Sequence, residues 1–182
     1  MNVEAMKHEL SIGCKNGIAF LMAAAIVWSI ITVIFLQSLE IGQKNIYMLW
    51  STGLMFPLSV LISKMIRADW RTEGNPLGSL GMHLNLAQLI YFPILIWAFI
   101  SSPGEMVLFF AIITGAHFFP YGWLYHAKAY YIMAPAISVG AVFIGWFLSA
   151  GRLWLIPASM AGFLLVLIAW LYADYRKKDN ES

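Results

Sequence analysis

Long runs of apolar residues dominate the chain, and short polar stretches separate them. An α-helix needs roughly 20 such residues to cross the hydrocarbon core of a bilayer, and six runs meet that requirement. They cover residues 17–36, 46–66, 84–101, 105–124, 129–149 and 152–174. The pattern predicts an all-α fold, a six-transmembrane-helix bundle, which forms one domain over residues 17–174.

The stretches between the runs have the composition of turns. Four of them are short: QSLEIGQKN, SSPGE, YHAKA and SAGR. The longest break covers residues 67–83 and contains Asn75–Pro76 and three glycines. Because short connections place consecutive helices side by side, the last four spans are expected to be antiparallel neighbours.

The two ends of the chain are predicted to lie outside the spans. Residues 1–16 are expected to form a short interfacial helix, with a frayed tail as the alternative. Its apolar stripe consists of Val3, Met6, Leu10 and Gly13. Residues 175–182 are expected to form a polar tail.

Composition and charge add the environment and the orientation. The chain is 61% hydrophobic and 11% charged, whereas soluble domains contain about 25% charged residues. Nine of the 11 Lys and Arg residues fall on the side of the two termini, and Lys44 and Arg152 fall on the other. The positive-inside rule therefore predicts a multi-pass protein of the inner (plasma) membrane with both termini in the cytoplasm. The first run is too long for the core of a cleavable signal, so it is expected to remain as span one.

Five prolines fall one in each of spans two to six. A proline inside a helix lacks the N–H of a regular turn and clashes with the preceding turn, so these spans are expected to be kinked. Two interpretations stay open. Proline is commoner in membrane helices than in soluble ones, or the kinks open a cavity. The prolines are Pro57, Pro93, Pro120, Pro135 and Pro157.

Small residues recur at helical spacing in spans five and six. Such stripes let helix backbones approach closely in a bilayer. They are expected to be packing faces, and the same faces suit a homo-oligomer equally well. The residues concerned are Ala134, Ser138, Ala141, Gly145, Ala158 and Gly162.

Polar side chains inside the spans gather in the half that is predicted to face the cytoplasm. No charged residue lies at the centre of any span, and His117 is the only strongly titratable side chain well inside one. Thr114, His117 and Tyr121 share one face of span four, and polar groups on spans two, three and five lie at similar depth. The candidate ligand or cavity residues are His117, Tyr121, Thr114, Asn85, Gln88, Ser59, Ser63 and Ser138.

The role of His117 has three interpretations. It is a packing residue bonded to Asn85, Gln88 or a kink carbonyl, or it lines a polar cavity, or it ligates a metal or haem. Gln88 and His117 lie at equal depth on adjacent helices, which makes contact between them expected. Haem would need an axial partner such as His83, and zinc would need three or four ligands. No metal and no cofactor is therefore predicted.

Aromatic residues crowd the end of span four and the start of span five. Indole and phenol rings prefer the membrane interface. Trp123, Tyr125, Tyr130 and Tyr131 are accordingly interpreted as an interfacial belt.

The residues indicate a class of function without naming a substrate. The chain shows no nucleophile–base pair, no phosphate-cradling glycine loop and no nucleic-acid motif, so neither an enzyme nor a nucleic-acid partner is favoured. The favoured function is binding or permeation of a small molecule or ion through a cavity open to the cytoplasm. The alternatives are a structural or partner-stabilising subunit and a haem-binding protein.

The six-span plan, together with GAHFFPYGWLYHA in span four, resembles a family of small uncharacterised bacterial inner-membrane proteins. The resemblance covers most of the chain. It implies a bacterial envelope, and it implies no particular chemistry, because the family has no assigned activity.

Overall fold

The computed structural model describes residues 2–69 and 74–180, and every regular element within these ranges is a helix. The all-α prediction is thus confirmed. Short 3-10 segments cover Lys15–Gly17, Gln88–Tyr91 and Ala150–Arg152. The α-helices are α1 (Val3–Gly13), α2 (Ile18–Leu36), α3 (Ile41–Thr52), α4 (Met55–Ile66), α5 (Pro76–Ala87), α6 (Phe92–Ser101), α7 (Met106–His117), α8 (Phe119–Leu124), α9 (Lys128–Phe147) and α10 (Leu155–Asn180).

Helices long and apolar enough to cross a membrane account for most of the described chain. Five continuous segments qualify, and the pair α3–α4, bent by 41°, qualifies as a possible sixth. Length and composition are therefore compatible with a multi-pass membrane protein. The five segments are Lys15–Leu36, Pro76–Ser101, Met106–Leu124, Lys128–Phe147 and Leu155–Asn180.

Large apolar side chains on the outside of the bundle agree with that environment. Ile90, Ile100 and Trp146 are each more than three-quarters exposed, and many other aromatic and branched side chains are half-exposed. Apolar surface on this scale is unfavourable in water and suits a lipid phase.

Several helices extend further than the apolar runs that predicted them. The helix for span three begins at Pro76, because Asn75 caps it and proline fits the first turn of a helix. The last helix continues through 175–180, the expected tail, because its polar end packs against the N-terminal segment. Both extensions are amphipathic and contribute little to an apolar run.

Four of the five span prolines follow an interruption of the helix. Pro57 follows the turn at Gly53–Leu54, Pro93 follows a 3-10 segment, Pro120 follows the junction between α7 and α8, and Pro157 follows the turn at Leu153–Trp154. Each lies in the first turn of the next helix, where the missing N–H needs no partner. Pro135 lies inside the continuous α9.

The helix α2 lies at the centre of the bundle. It packs against α4 and α10. Ala23, Val27 and Ile31 on α2 are 0–2% exposed. The α5–α6 segment is peripheral. Only 11% of its most apolar 18-residue stretch is buried, whereas the figure for the segment that contains α2 is 56%.

The small-residue face of α9 packs within the chain. A Cβ atom at Gly115 of α7 would lie 2.6 Å from the hydroxyl of Ser138, and one at Gly145 would lie 2.7 Å from Leu108. Ala134 and Ala141 on the same face of α9 are fully buried. The predicted packing role therefore applies inside the chain. A homo-oligomer through Ala158 and the exposed Gly162 of α10 stays a prediction.

A buried asparagine ties one end of the bundle together. Asn16 has a left-handed backbone (φ 54°) and is 0% exposed. Its Nδ2 donates to the carbonyl of Leu171 (3.1 Å) and to the carboxylate of Asp174 (3.0 Å), both on α10. Its carbonyl accepts a hydrogen bond from the Tyr130 hydroxyl of α9 (2.7 Å), and its Oδ1 accepts one from Ser11 of α1. One residue thus joins α1, α9 and α10.

A lysine on α10 extends this network to the turn after α8. Lys178 Nζ lies 2.6 Å from the carboxylate of Asp174. It also donates to the carbonyls of Tyr125 (3.0 Å) and His126 (3.1 Å) and to Ser11 Oγ (3.1 Å). The start of the chain and the last turns of α10 therefore lie at the same end, called here the termini end.

The helix α1 uses a different face from the predicted stripe. Val3 and Gly13 are exposed, whereas Lys7 and Leu10 are buried. The Lys7 ammonium lies 4.0 Å from the centre of the Trp123 ring and 3.0 Å from the Glu4 carboxylate. The pattern of apolar residues does not predict such a contact, because lysine is counted as polar although it can bury its methylene stem while its charge is paired.

Replacing Gly115 by Ala should destabilise the contact between α7 and α9. The added methyl group would meet the Ser138 hydroxyl at 2.6 Å and the backbone nitrogen of Ser138 at 3.0 Å. Overpacking of this kind costs about 1–3 kcal/mol. Gly162→Ala is the matched control, because nothing lies within 4 Å of its Cβ position. Thermal unfolding in detergent should show a lower Tm for Gly115→Ala alone. Equal Tm values would contradict this packing.

Replacing Asn16 by Ala should be more damaging than the same change at Asn2. Asn16→Ala removes buried hydrogen bonds to Leu171 and Asp174 and places alanine in a left-handed conformation. The expected loss of unfolding free energy is about 3 kcal/mol or more. The exposed cap Asn2, which accepts only from the Ala5 amide, should lose about 1 kcal/mol. Denaturant titration of both variants gives the comparison, and a smaller loss for Asn16→Ala would refute the assigned role.

Candidate functional site

A cavity of about 860 Å³ lies beside the central helix. Its walls come from α2, α4, α5, the segment Gln88–Tyr91, and the pair α7–α8. A volume of this size falls within the roughly 300–1,000 Å³ that is usual for small-molecule sites. Leu10, Cys14, Ala68 and Asp69 also line it, which places the cavity toward the termini end.

The cavity exists because α5–α6 is held to the bundle at its two ends. At the start of α5, Asn75 Nδ2 donates to the Met6 carbonyl (2.9 Å) and to the Glu9 carboxylate (3.2 Å). At the far end, α6 packs on α7. Between these two anchors, Ala24 and Gly81 are small lining residues, and Gly81 packs closely on α8, where a Cβ atom would lie 3.3 Å from the Leu124 side chain.

Aromatic rings form the deep wall of the cavity. Trp28 of α2 stacks on Phe110 of α7, with ring centroids 5.0 Å apart and an interplanar angle of 27°. Trp28 is 2% exposed. Phe92 completes this wall from α6.

Three tyrosines form the wall nearest the termini end. The ring centroids of Tyr121, Tyr125 and Tyr130 lie 5.8–6.1 Å from one another. The Tyr125 ring covers Gly17, where a Cβ atom would be 3.0 Å from it. Because Tyr130 also donates to Asn16, this wall is continuous with the Asn16 network.

Exposure is compatible with the belt interpretation for only two of its four rings. Trp123 and Tyr131 are 45% and 38% exposed, as interfacial rings would be. Tyr125 and Tyr130 are 8% and 2% exposed and belong to the core. The helix α8 ends at Leu124, and the chain turns directly afterwards. Rings that are close in the sequence therefore lie on opposite sides of the chain.

His117 lines the cavity and makes its hydrogen bond within its own helix pair. Its Nε2 lies 3.3 Å from the Tyr121 hydroxyl, and the two rings meet edge to face at 5.3 Å. The contact from α5–α6 reaches Thr114 instead, where Gln88 Nε2 lies 3.5 Å from the hydroxyl. Asn85 bonds to the Gly81 carbonyl. In residues 2–69 and 74–180, no hydrogen bond joins His117 to Asn85 or Gln88, in contrast to the expectation.

Six of the eight candidate residues line the cavity, and two do not. Ser59 is fully buried and donates to the Phe56 carbonyl at 2.8 Å. Ser138 donates across the contact between α9 and α7 to the Ile112 carbonyl at 3.2 Å. Both hydroxyls lie away from the cavity because each belongs to a tight helix contact. The six lining residues are Ser63, Asn85, Gln88, Thr114, His117 and Tyr121.

Ser63 differs from the other polar lining residues. It is 1% exposed, and its hydroxyl has no hydrogen-bond partner. A buried hydroxyl without a partner costs about 1–3 kcal/mol. One turn earlier on the same helix, Ser59 avoids that cost by bonding to the backbone. Ser63 lines the cavity, but its hydroxyl oxygen has less than 1 Å² of accessible surface, so a molecule in the cavity reaches it only after the side chain rotates.

The described lining carries little charge. Asp69, at the mouth, is its only formally charged side chain, and no Lys or Arg is among the described lining residues. Nowhere in the described ranges do three or more His, Cys, Asp or Glu side chains come together in a way that could hold a metal ion.

Comparison with known families places the chain among proteins without an assigned role. The model of the DUF7010 family, a family of unknown function, matches residues 3–174. The chain belongs to this family. No curated protein and no solved structure matches it.

Membership of DUF7010 supports the resemblance to an uncharacterised family. It supplies no catalytic or binding residues, so the function of this DUF7010 protein has to be argued from the cavity itself.

Some residues of this site were missed by the sequence reasoning. Trp28 is the only tryptophan in the middle of a predicted span, and that position is a usable signal. Asn16–Gly17 is a dipeptide that favours positive φ, which also signals a special turn. Cys14 carries no such signal, since its place in the lining depends on how α1 folds back.

Cys14 provides a probe of the lining. Burial raises the pKa of its thiol to about 12, and the negative charge of Asp69 acts in the same direction. The raised pKa means that folding favours the neutral thiol. That contribution to stability is complete below the ordinary thiol pKa, and it is lost as pH rises toward 12.

Alkylation of Cys14 should therefore be slow in the folded protein. With iodoacetamide in detergent, the rate should rise about tenfold per pH unit from pH 7 to 10 without reaching a plateau, because only the thiolate reacts. The denatured chain is the control, and its rate should level off above the usual thiol pKa of about 8.5. An alkylation rate in the folded protein as high as that of the denatured chain at the same pH would contradict the burial of this thiol.

Proposed function

We propose that this chain is a six-span protein of the bacterial inner membrane that binds a small molecule in the cavity beside α2. The α3–α4 pair counts as one bent span in this proposal. The even number of spans agrees with the position of both termini at one end of the bundle. Nine of 11 Lys and Arg residues on that side support a cytoplasmic location for it.

The observation that carries the proposal is a cavity of about 860 Å³ whose lining includes Ser63, a serine with a buried and unpartnered hydroxyl. Protein interiors are close-packed, and empty volume is destabilising. A buried polar group with no partner adds a second unfavourable term. A ligand that fills the volume removes the first term, and rotation of the Ser63 side chain toward that ligand would remove the second.

Binding is favoured over a continuous pore because the opposite end of the bundle is filled. Met48, Leu95 and Met106 there are 0–1% exposed. Asn45 Nδ2 also closes that end by donating to the Pro103 carbonyl at 2.8 Å. The cavity therefore opens toward the termini end, which is the cytoplasmic side in this proposal.

A cavity-filling substitution tests the proposal. Asn85→Trp places an indole in the cavity, since Asn85 lines it and bonds only to Gly81 on its own helix. Small molecules that co-purify with the protein in mild detergent are measured by mass spectrometry. The wild type should retain at least one enriched compound, and Asn85→Trp should lose it by at least tenfold.

Ile90→Trp is the matched control. Ile90 follows on the same helical segment, is 76% exposed and does not line the cavity. This variant should retain the compound at the wild-type level, and both variants should keep a cooperative unfolding transition. Absence of any enriched compound from the wild type, or equal retention in all three proteins, would reject binding in this cavity.

A further inference from the structure

We infer that the ligand is an uncharged lipid, with a long apolar chain and a small hydroxyl- or carbonyl-bearing head group, which enters the cavity sideways from the bilayer. This inference rests on the proposed function, because it names the class of molecule that the same cavity takes. Two features carry it: an opening in the side of the bundle deep in the bilayer, and polar side chains without a formal charge inside that opening.

Exposed lining residues mark the opening in the side of the bundle. Leu86 and Leu89 both line the cavity, and more than half of each side chain is exposed. Gly53, in the break between α3 and α4, also lines the cavity and is exposed. Lining alone does not expose a residue, because Trp28 and Phe110 line the same cavity and are buried. The three exposed residues, called here the side opening, therefore connect the cavity with the outside of the bundle.

The edges of the side opening are supported by different neighbours. The helix α5 packs against α1 and α8, whereas α3 and α4 both pack against α2. The two edges are thus held in place from opposite directions, and the space between them belongs to the arrangement of the helices.

The side opening lies deep in the bilayer. The end of α4 and the start of α5 are both at the termini end, where the segments next to them are hydrogen-bonded to α1. Gly53 is 13 residues before the end of α4 at Ile66, and Leu89 is 13 residues after the start of α5 at Pro76. At 1.5 Å per residue, both lie about 20 Å from that end. This depth is well inside a hydrocarbon core of about 30 Å.

The depth of the side opening selects an uncharged molecule. Charged groups are costly near the centre of a bilayer, so a charged head group stays at the interface and does not reach this level. An apolar chain with a single hydroxyl or carbonyl group crosses the same region at a much lower cost. The bilayer makes this selection before the ligand meets the protein, and the selection is independent of the charge at the termini end of the cavity.

Polar side chains inside the side opening suit such a head group. Gln88 Nε2 lies 3.5 Å from the Thr114 hydroxyl, and the Tyr121 hydroxyl lies 3.3 Å from His117 Nε2. Both distances are at the long end for hydrogen bonds, so these contacts are weak. The amide of Gln88 also has a second N–H and a carbonyl oxygen. A hydroxyl or carbonyl group of the ligand can therefore bond here without needing a charged partner.

Three probes with one hexadecyl chain and different head groups test the class of ligand. They are hexadecanol, hexadecyl sulfate and hexadecyltrimethylammonium. The full chain is placed in phosphatidylcholine nanodiscs that contain each probe at the same mole fraction, and native mass spectrometry counts the probe molecules that stay bound after release. Hexadecanol should be retained at least fivefold more than either charged probe. Asn85→Trp should lose it, and Ile90→Trp should retain it.

Two results of this measurement would overturn the uncharged class. One is equal retention of the three probes, or stronger retention of a charged one. The other is retention of phosphatidylcholine in place of hexadecanol, because a phospholipid chain would then fill the cavity. Competition by an excess of unlabelled hexadecanol against a deuterated sample gives the same comparison without any variant.

Photolabelling tests the route through the side opening. Two forms of hexadecanol carry a diazirine, either next to the head group or in the middle of the chain, and peptide mapping locates the labels that Asn85→Trp loses. The first form should label residues 114–121, and the second should label Leu86 or Leu89. Labelling of Cys14 or Gly17 by the second form would overturn entry from the side, because these residues line the cavity near the termini end.

The outcomes also distinguish this inference from the proposed function. Suppose that neither hexadecanol nor phosphatidylcholine is retained, while the wild type co-purifies with another compound that Asn85→Trp loses. That result overturns the lipid and leaves the binding function standing. No retained probe together with no co-purified compound overturns both.

Discussion

The architecture at the termini end depends on one residue in an unfavourable backbone conformation. Asn16 adopts a left-handed φ and is completely buried, so its amide has to be satisfied inside the protein. Leu171 and Asp174 of α10 and Ser11 of α1 satisfy it, and Tyr130 of α9 bonds to its carbonyl. The bond from Ser11 is one of the polar contacts that hold α1 to the bundle. Lys15, Asn16 and Gly17 all have positive φ and form the turn between α1 and α2.

The cavity follows from that arrangement. Because α1 is held in place, it can anchor the start of α5 through Asn75, and α5 then crosses the bundle surface at a distance from α4. Tyr130 links the two features, since one face of its ring packs in the tyrosine wall and its hydroxyl reaches Asn16. The rings of the stretch TGAHFFPYGWLYHAKAYY thus fall into two groups. Trp123 and Tyr131 lie exposed on the surface, whereas Tyr121, Tyr125 and Tyr130 are buried and form the tyrosine wall of the cavity.

The sequence was sufficient for the helices and insufficient for their polar contacts. Apolar runs located the helices because transfer from water dominates in those segments. The apolar runs did not predict the start of α5 or the end of α10, because amphipathic turns do not extend an apolar run. His117 lines the cavity, and its hydrogen-bond partner is Tyr121 and not Gln88. Equal depth on two helices does not fix rotation about their axes. Asn16 was not singled out. The Asn16–Gly17 dipeptide signals a special turn, but the burial of Asn16 and its hydrogen-bond partners have no signature in the sequence.

Two buried serine hydroxyls on α4 differ in whether the protein supplies a hydrogen-bond partner. Ser59 and Ser63 are four residues apart on the same helix, and both are at most 1% exposed. Ser59 bonds to the Phe56 carbonyl, so the helix can satisfy a serine hydroxyl without outside help. Ser63 has no such bond, although its backbone carbonyl is used by the amides of Arg67 and Ala68. Two buried side-chain groups have no hydrogen-bond partner in the described residues, Asn45 Oδ1 and the Ser63 hydroxyl, and of these two residues only Ser63 lines the cavity.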